Sequence, residues 1–248
     1  MTAKAFTLKN KVALVAGDSR LWAKPVAVAL AEAGADLAIA AKSSPKLTEA
    51  AEAVQKTGRK ALALPLDVAK PAQVQRAVRQ VLDQYGRLDI LVNAGDIHFF
   101  KPFMKIKSSE WGQVMDYNLK SALNFCRAAA KPMLKQKKGR IINIVSGLSE
   151  RGLANGSAYC VSMGGVLQLT RALALEWAQN GITVNAIGTG WFDQPGQTVD
   201  QTLVRYIPAK RYGKAEEVGS LVVYLASEVT GFTTGQFMFV DGGLMAHA

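Results

Sequence analysis

The sequence predicts a doubly wound α/β protein, a parallel sheet of about seven strands with helices on both faces. Two observations lead there. Short runs rich in valine, isoleucine, leucine and alanine alternate with amphipathic stretches of about ten residues or more from residue 11 to residue 240. Strands separated by helices of that length can be parallel only if each helix crosses back over the sheet. The chain is also 248 residues long, with no internal repeat, low-complexity segment or linker, which suits one well-buried domain spanning residues 1–248.

The elements follow in order. Residues 11–16 read as a first strand, and residues 25–33 as the helix after it, with Pro25 suited to a first turn where no amide bond is lost. Gly34 stops that helix, and residues 36–40 form the second strand. A helix over 47–56, a strand over 61–66, a helix over 72–85 and a strand over 88–92 continue the alternation. Two helices, at about 109–118 and 122–135, precede a fifth strand at 140–145. A long helix over 158–179, a strand over 183–187, a helix over 215–226 and a last strand over 236–240 complete it. In such sheets ligands bind at the carboxyl ends of the strands, near the point where strand order reverses. The residues just after each strand are therefore the ones to inspect.

Composition narrows the function. The formal charge of +11 invites a nucleic-acid partner. Most lysines, however, stand singly, and the densest cluster (Lys135, Lys137, Lys138, Arg140) falls at a helix end, where cations favour the dipole. No aromatic residues interleave it, so no nucleic-acid partner is expected. Residues 1–10 have no apolar leader core, and no stretch reads as the roughly 18 apolar residues of a membrane span, so a cytoplasmic protein without a membrane partner is expected. Cys126 and Cys160 have neither metal nor redox spacing and read as reduced thiols; no metal site is expected.

Several motifs stand at the strand ends. After the first strand come Gly17, Leu21, Trp22 and Ala23; after the third, Leu66-Asp67-Val68; after the fourth, Asn93-Ala94-Gly95. Asp116-Tyr117-Asn118-Leu119 lies in a helical stretch, Ser146 follows the fifth strand, and Tyr159 comes thirteen residues later. Ile187-Gly188-Thr189-Gly190 and Phe239-Val240-Asp241-Gly242-Gly243 follow the last two strands. By these motifs the chain resembles the short-chain dehydrogenase/reductase family from end to end, which implies a Rossmann-type fold and a single NAD(P)-binding domain.

The resemblance implies roles. Tyr159 is the general acid/base at the substrate oxygen, Ser146 hydrogen-bonds that oxygen, and Asn118 holds a water for proton relay. Gly17, Ser19 and Arg20 in the first turn, Lys42, Asp67, Val68, Asn93, Ala94 and Gly95 contact the cofactor, as does Tyr159. Arg20 and Lys42 stand where the family places cations for a 2′-phosphate, and Ala41 where its NAD-preferring members carry an aspartate. NADP is thus expected over NAD. The substrate is a small carbonyl or alcohol compound, and the final strand and turn imply a homo-oligomer, a tetramer.

The chain also departs from the family pattern. Of the three glycines in the first turn, Leu21 and Ala23 replace the second and third, and the Asn-Asn-Ala-Gly turn has lost one asparagine. The lysine four residues after the tyrosine is Met163, and the alternative lysine position of divergent enoyl reductases is Val166. A free tyrosine titrates near 10 and a neighbouring cation lowers that by about 1–3 units, so losing the lysine costs on the order of 100-fold in rate. The expected activity is therefore an NADP-dependent carbonyl reduction or alcohol oxidation that is impaired or atypical. The alternatives are a non-catalytic binding or subunit-scaffold protein, and a repurposed non-redox enzyme using Ser146 and Tyr159. Phe99, Phe100, Trp191, Phe192 and Tyr206 are candidates for an apolar pocket wall, and His98 is expected to be solvated without a role.

Overall fold

The computed structural model describes residues 6–17, 21–194, 196 and 198–246. Seven strands, β1 (Val12–Gly17), β2 (Asp36–Ala41), β3 (Ala61–Pro65), β4 (Ile90–Ala94), β5 (Gly139–Ser146), β6 (Ile182–Thr189) and β7 (Phe237–Val240), form one sheet in the order β3-β2-β1-β4-β5-β6-β7. Every pairing is parallel. The architecture is Rossmann-like, and strand order reverses between β1 and β4.

Burial explains why the inner strands read as unbroken apolar runs. β1, β4 and β6 are buried at every position, whereas the edge strands β3 and β7 alternate or stay half-exposed. Helices α1 (Ala23–Glu32), α2 (Pro45–Lys56) and α8 (Ala215–Ala226) cover one face through Val26, Leu30, Val54 and Val222. Helices α3 (Pro71–Tyr85), α5 (Ser121–Gln136) and α6 (Ser157–Trp177) cover the other through Val74, Val81, Phe125, Met133 and Leu173. α3 shows the logic plainly. Val74, Ala77, Val78 and Val81 recur at helical spacing, Pro71 opens the helix, and Gly86 closes it at φ 74°. Each valine so buried contributes about 1.5 kcal/mol or more.

The structure shifts several expected boundaries for physical reasons. α1 begins at Ala23, two residues early, so Pro25 lies deeper in the first turn, where amides still lack an intrahelical acceptor. β4 starts at Ile90 rather than Leu88, although the Asp89 backbone already bonds Val12 and Arg140 and its carboxylate accepts from the Val12 amide at 2.9 Å and from Arg87. The helix expected near 109–118 divides into α4 (Ser108–Val114) and a π-helical turn, Met115–Lys120, that carries Asn118. A short helix, α7 (Gln201–Val204), was not anticipated.

One expectation drawn from composition needs correction, and another gains detail. Residues Ser157–Asn180 do reach the length and apolarity of a membrane span. Half of that window is buried against the sheet, and interior packing accounts for its composition. The basic cluster is also partly structural. Arg140 is buried and donates to the carbonyls of Gly139 and Ser227, and Lys138 pairs with Glu228 at 2.6 Å.

Candidate active site

The carboxyl ends of β1, β4, β5 and β6 open on a cavity of about 500 Å³. Trp22 reaches it from beyond β1, Asp96 from beyond β4, Ser146 from the end of β5, Phe192 from beyond β6 and Tyr159 from the first turn of α6. Phe100, Trp191 and Tyr206 also line it as expected, whereas Phe99 is not among the lining residues. Its walls mix apolar side chains with polar and charged ones, Arg151, Asp193 and Asp200 among them, as a small-molecule site with specific polar contacts requires.

Its polar centre is Asp96, a residue that sequence reasoning passed over. Tyr159 Oη donates to Asp96 Oδ1 at 2.8 Å, Trp22 Nε1 donates to Oδ2 at 3.4 Å, and His98 Nε2 lies 3.1 Å from Oδ2. The Asp96 side chain is only 12% exposed. Burial alone would raise its pKa, but the contacts with His98, Tyr159 and Trp22 outweigh burial and hold it below the ordinary carboxylate value. Tyr159 responds in the opposite sense. Burial first, and then the Asp96 charge and hydrogen bond, push the phenol well above 10, against a smaller downward pull from Ser146. His98 is solvent-exposed as expected but is not without partners. Besides facing Asp96, it packs edge-on against the Tyr159 ring at 5.2 Å.

Met163 lies one turn along α6, 1% exposed, in an apolar cluster with Tyr159, Val166 and Leu167. No cation stands at that position to draw the phenol pKa down. Ser146 Oγ accepts from the Leu148 amide at 3.2 Å, which leaves its hydroxyl proton for another acceptor.

The remaining predicted residues divide into two groups. Asn118 is buried, accepts from the Ile97 amide at 2.8 Å, and donates to the Ile97 carbonyl at 3.2 Å and to Ser162 Oγ at 3.0 Å. These bonds fasten the loop after β4 onto α6. Asn93 also turns inward, donating to Asn143 Oδ1 at 2.7 Å across β4 and β5 and to Cys126 Sγ. Burial pushes the Cys126 thiol up to about 12, so it stays protonated.

Lys42, Asp67 and Val68 instead line a separate cavity of about 860 Å³ with Lys70 and Lys120. Asp67 makes a local turn there, accepting from the Ala69 amide at 3.0 Å. Between the two cavities, Gly17 takes φ 143°, and a Cβ there would overlap the Ala94 carbonyl and the Gly95 amide. Those three residues bring the ends of β1 and β4 together. Ser19 and Arg20 lie outside the described residues.

Sequence carried one usable signal for Asp96: a carboxylate directly after a strand-end turn in a predicted parallel sheet. Its partners could not be read that way, because Trp22 is 74 residues away and Tyr159 63.

Comparison with known proteins agrees with this architecture. Residues 22–245 match the family described as enoyl-(acyl carrier protein) reductase. A 3-oxoacyl-(acyl carrier protein) reductase of Staphylococcus epidermidis is 34% identical over 241 residues, covering 95% of this chain and 99% of that protein. A gluconate 5-dehydrogenase of Burkholderia cenocepacia, solved in complex with NADP and tartrate, superimposes with a TM-score of 0.93 at 32% identity over 99% of both chains. A short-chain type dehydrogenase/reductase of Mycobacterium marinum gives a TM-score of 0.92 at 34% identity, again over 99% of both. With the sheet order, the helices on both faces and these full-length similarities in hand, the chain belongs to the short-chain dehydrogenase/reductase family, oxidoreductases that use NAD(P).

Proposed function

We propose that this chain is an attenuated short-chain oxidoreductase that takes a small carbonyl or alcohol compound in the cavity beside Tyr159 and Ser146. The observation that carries this reading is the 2.8 Å hydrogen bond from Tyr159 to Asp96, next to a buried Met163. A tyrosine held above its ordinary pKa keeps its proton at neutral pH. It can hand that proton to an oxyanion formed from a carbonyl, while Ser146 donates to the same oxygen. It does not take a proton from an alcohol, so carbonyl reduction is the favoured direction. Even there, donation leaves a phenolate beside the Asp96 carboxylate. Two such charges 4 Å apart repel by about 4 kcal/mol at an effective dielectric of 20. Turnover is therefore on the order of 100-fold or more below that of a site with a lysine at this place.

NADP is the nucleotide its adenosine side favours. Lys42 directly follows the last residue of β2, Ala41 leaves no carboxylate there, and Asp67 and Val68 share the same cavity. The nicotinamide side does not fit as well. Trp22 is 2% exposed and bonded to Asp96 across the crevice, and the Met163 thioether cannot donate to a ribose hydroxyl. That one observation, the Trp22–Asp96 contact, favours a second reading as a non-catalytic binding protein. We take residues 1–248 as a single domain and the working state as a homo-oligomer, a tetramer by the family likeness. The open edge of β7, with Phe239 and Phe232 exposed, supports assembly.

The test is NADPH consumption with a panel of small ketones, in the native protein and Met163→Lys. At least a tenfold gain in turnover and a lower pH optimum are expected on replacement. Native turnover as fast as Met163→Lys, with NADPH bound by both, would contradict the reading.

A further inference from the structure

A dinucleotide crossing a doubly wound sheet lies in the crevice outside the strands where their order reverses. Here those strands are β1 and β4, and two side chains reach across their ends. Trp22 extends from beyond β1 and its indole N–H donates to Asp96 beyond β4. The indole also packs edge-on against Phe192, beyond β6, with ring centroids 5.0 Å apart and planes at 74°. The other Asp96 oxygen is held by Tyr159 of α6. One carboxylate thus ties the segments after β1 and β4 to α6 on one side of the reversal point.

Charge acts in the same sense as shape. The Asp96 carboxylate, its pKa held below the ordinary value by its contacts, lies on the wall of the 500 Å³ cavity, where its charge disfavours an anionic ligand. On the other side of the reversal point the 860 Å³ cavity carries Lys42, Lys70 and Lys120, with Asp67 and Asp116 as its acidic members. The two cavities on either side of the reversal point therefore present different conditions to a nucleotide.

We propose that Asp96 closes the nicotinamide half, so that this chain holds NADP by its adenosine and phosphate end alone until the Asp96 contacts break. Asp96 is the residue that matters, because Trp22 and Tyr159 both donate to it. Removing the carboxylate frees the indole to swing and returns the Tyr159 hydroxyl to the cavity. The proposal concerns binding and does not depend on the slow-turnover reading. It can fail while Met163→Lys still gains activity, and it can hold in a protein with no turnover.

The experiment is calorimetric titration of the full chain with NADPH and with adenosine 2′,5′-bisphosphate, in the native protein, Asp96→Gly and Asp96→Asn. Native affinities for the two compounds are expected within about threefold of each other. Asp96→Gly should bind NADPH at least tenfold tighter with its affinity for the bisphosphate unchanged, and only there should the nicotinamide emission rise and shift to the blue. Asp96→Asn keeps an acceptor for Tyr159 without the charge. It should fall between the two, and it stands in if the glycine variant does not fold. A native affinity for NADPH ten or more times that for the bisphosphate overturns the proposal. So does unchanged NADPH affinity in both folded variants, or no binding of either compound to any of the three proteins at millimolar concentration.

Discussion

The two halves of the crevice outside β1 and β4 share a backbone frame and differ in what their polar groups already have as partners. On the adenosine side Lys42 and Lys70 line an open cavity, Lys120 there is paired with Asp116 at 3.0 Å, and Asp67 accepts from the Ala69 amide in a local turn. On the nicotinamide side Asp96, Tyr159, Trp22 and His98 satisfy one another, and Asn118 is bonded to Ile97 and Ser162. Chemistry at the second half must first break contacts that stabilise the fold. A family motif can therefore keep its residue types and still offer a ligand little, because a buried group that already has its partner gains nothing by changing it.

The comparison can be broken most forcefully at the frame both halves share. Gly17→Val puts a branched side chain at φ 143° into the Ala94 and Gly95 backbone, and should cost roughly 3 kcal/mol or more. Urea denaturation measures it, and nucleotide binding should disappear together with the stability. A loss under about 1 kcal/mol would mean that the ends of β1 and β4 are not locked together as described.

The nicotinamide half alone is sharpened by the pH dependence of stability. Asp96 has a folded pKa below its unfolded value, so its contribution is present above the unfolded carboxylate range near 4 and is lost as pH falls through the folded value. Tyr159 has a folded pKa raised above its unfolded value, so its contribution is complete below about 10 and is lost as pH rises through the folded value. Asp96→Asn should cost about 1–3 kcal/mol at pH 7. It should also flatten the acid limb and move tyrosine ionisation, followed in the ultraviolet, to lower pH. Unchanged tyrosine titration would mean that the carboxylate does not hold the Tyr159 proton.

The smallest effect is expected at the opposite end of the strands. Lys11 and Lys138 hold the Glu228 pKa down to about 2, with pairs at 2.7 and 2.6 Å. About half of that side chain is in solvent, so Glu228→Gln should cost less than about 1 kcal/mol. The difference should fade as pH falls from the ordinary carboxylate range towards 2, and NADPH binding should stay unchanged. Altered nucleotide affinity would show that the two ends of the sheet are coupled.

The fold was legible because its signals are local and periodic. The valine stripe of α3, the apolar run of β1 and the Gly86 stop each sit within one element. The thirteen-residue interval from Ser146 to Tyr159 survives as two side chains on one cavity, and Lys42 with Asp67 as neighbours in another. Tertiary pairing was not legible. Asn93 faces Asn143 in the next strand, although its motif points to a cofactor contact. His98 is exposed as expected, yet it contacts Asp96 and Tyr159, a pairing its sequence position does not announce. The π-helical turn bearing Asn118 has the same composition as the helix expected there. Asp96 escaped notice because a single carboxylate acquires its meaning only when segments more than sixty residues apart meet around it.

One titration tests the central claim most directly: NADPH added to the native protein, with binding heat and nicotinamide emission recorded together. The account predicts heat of binding, from the adenosine end, without a rise or blue shift in the emission. Binding accompanied by enhanced, blue-shifted emission would place the nicotinamide in a closed apolar site, and would contradict an Asp96 that shuts that half of the crevice.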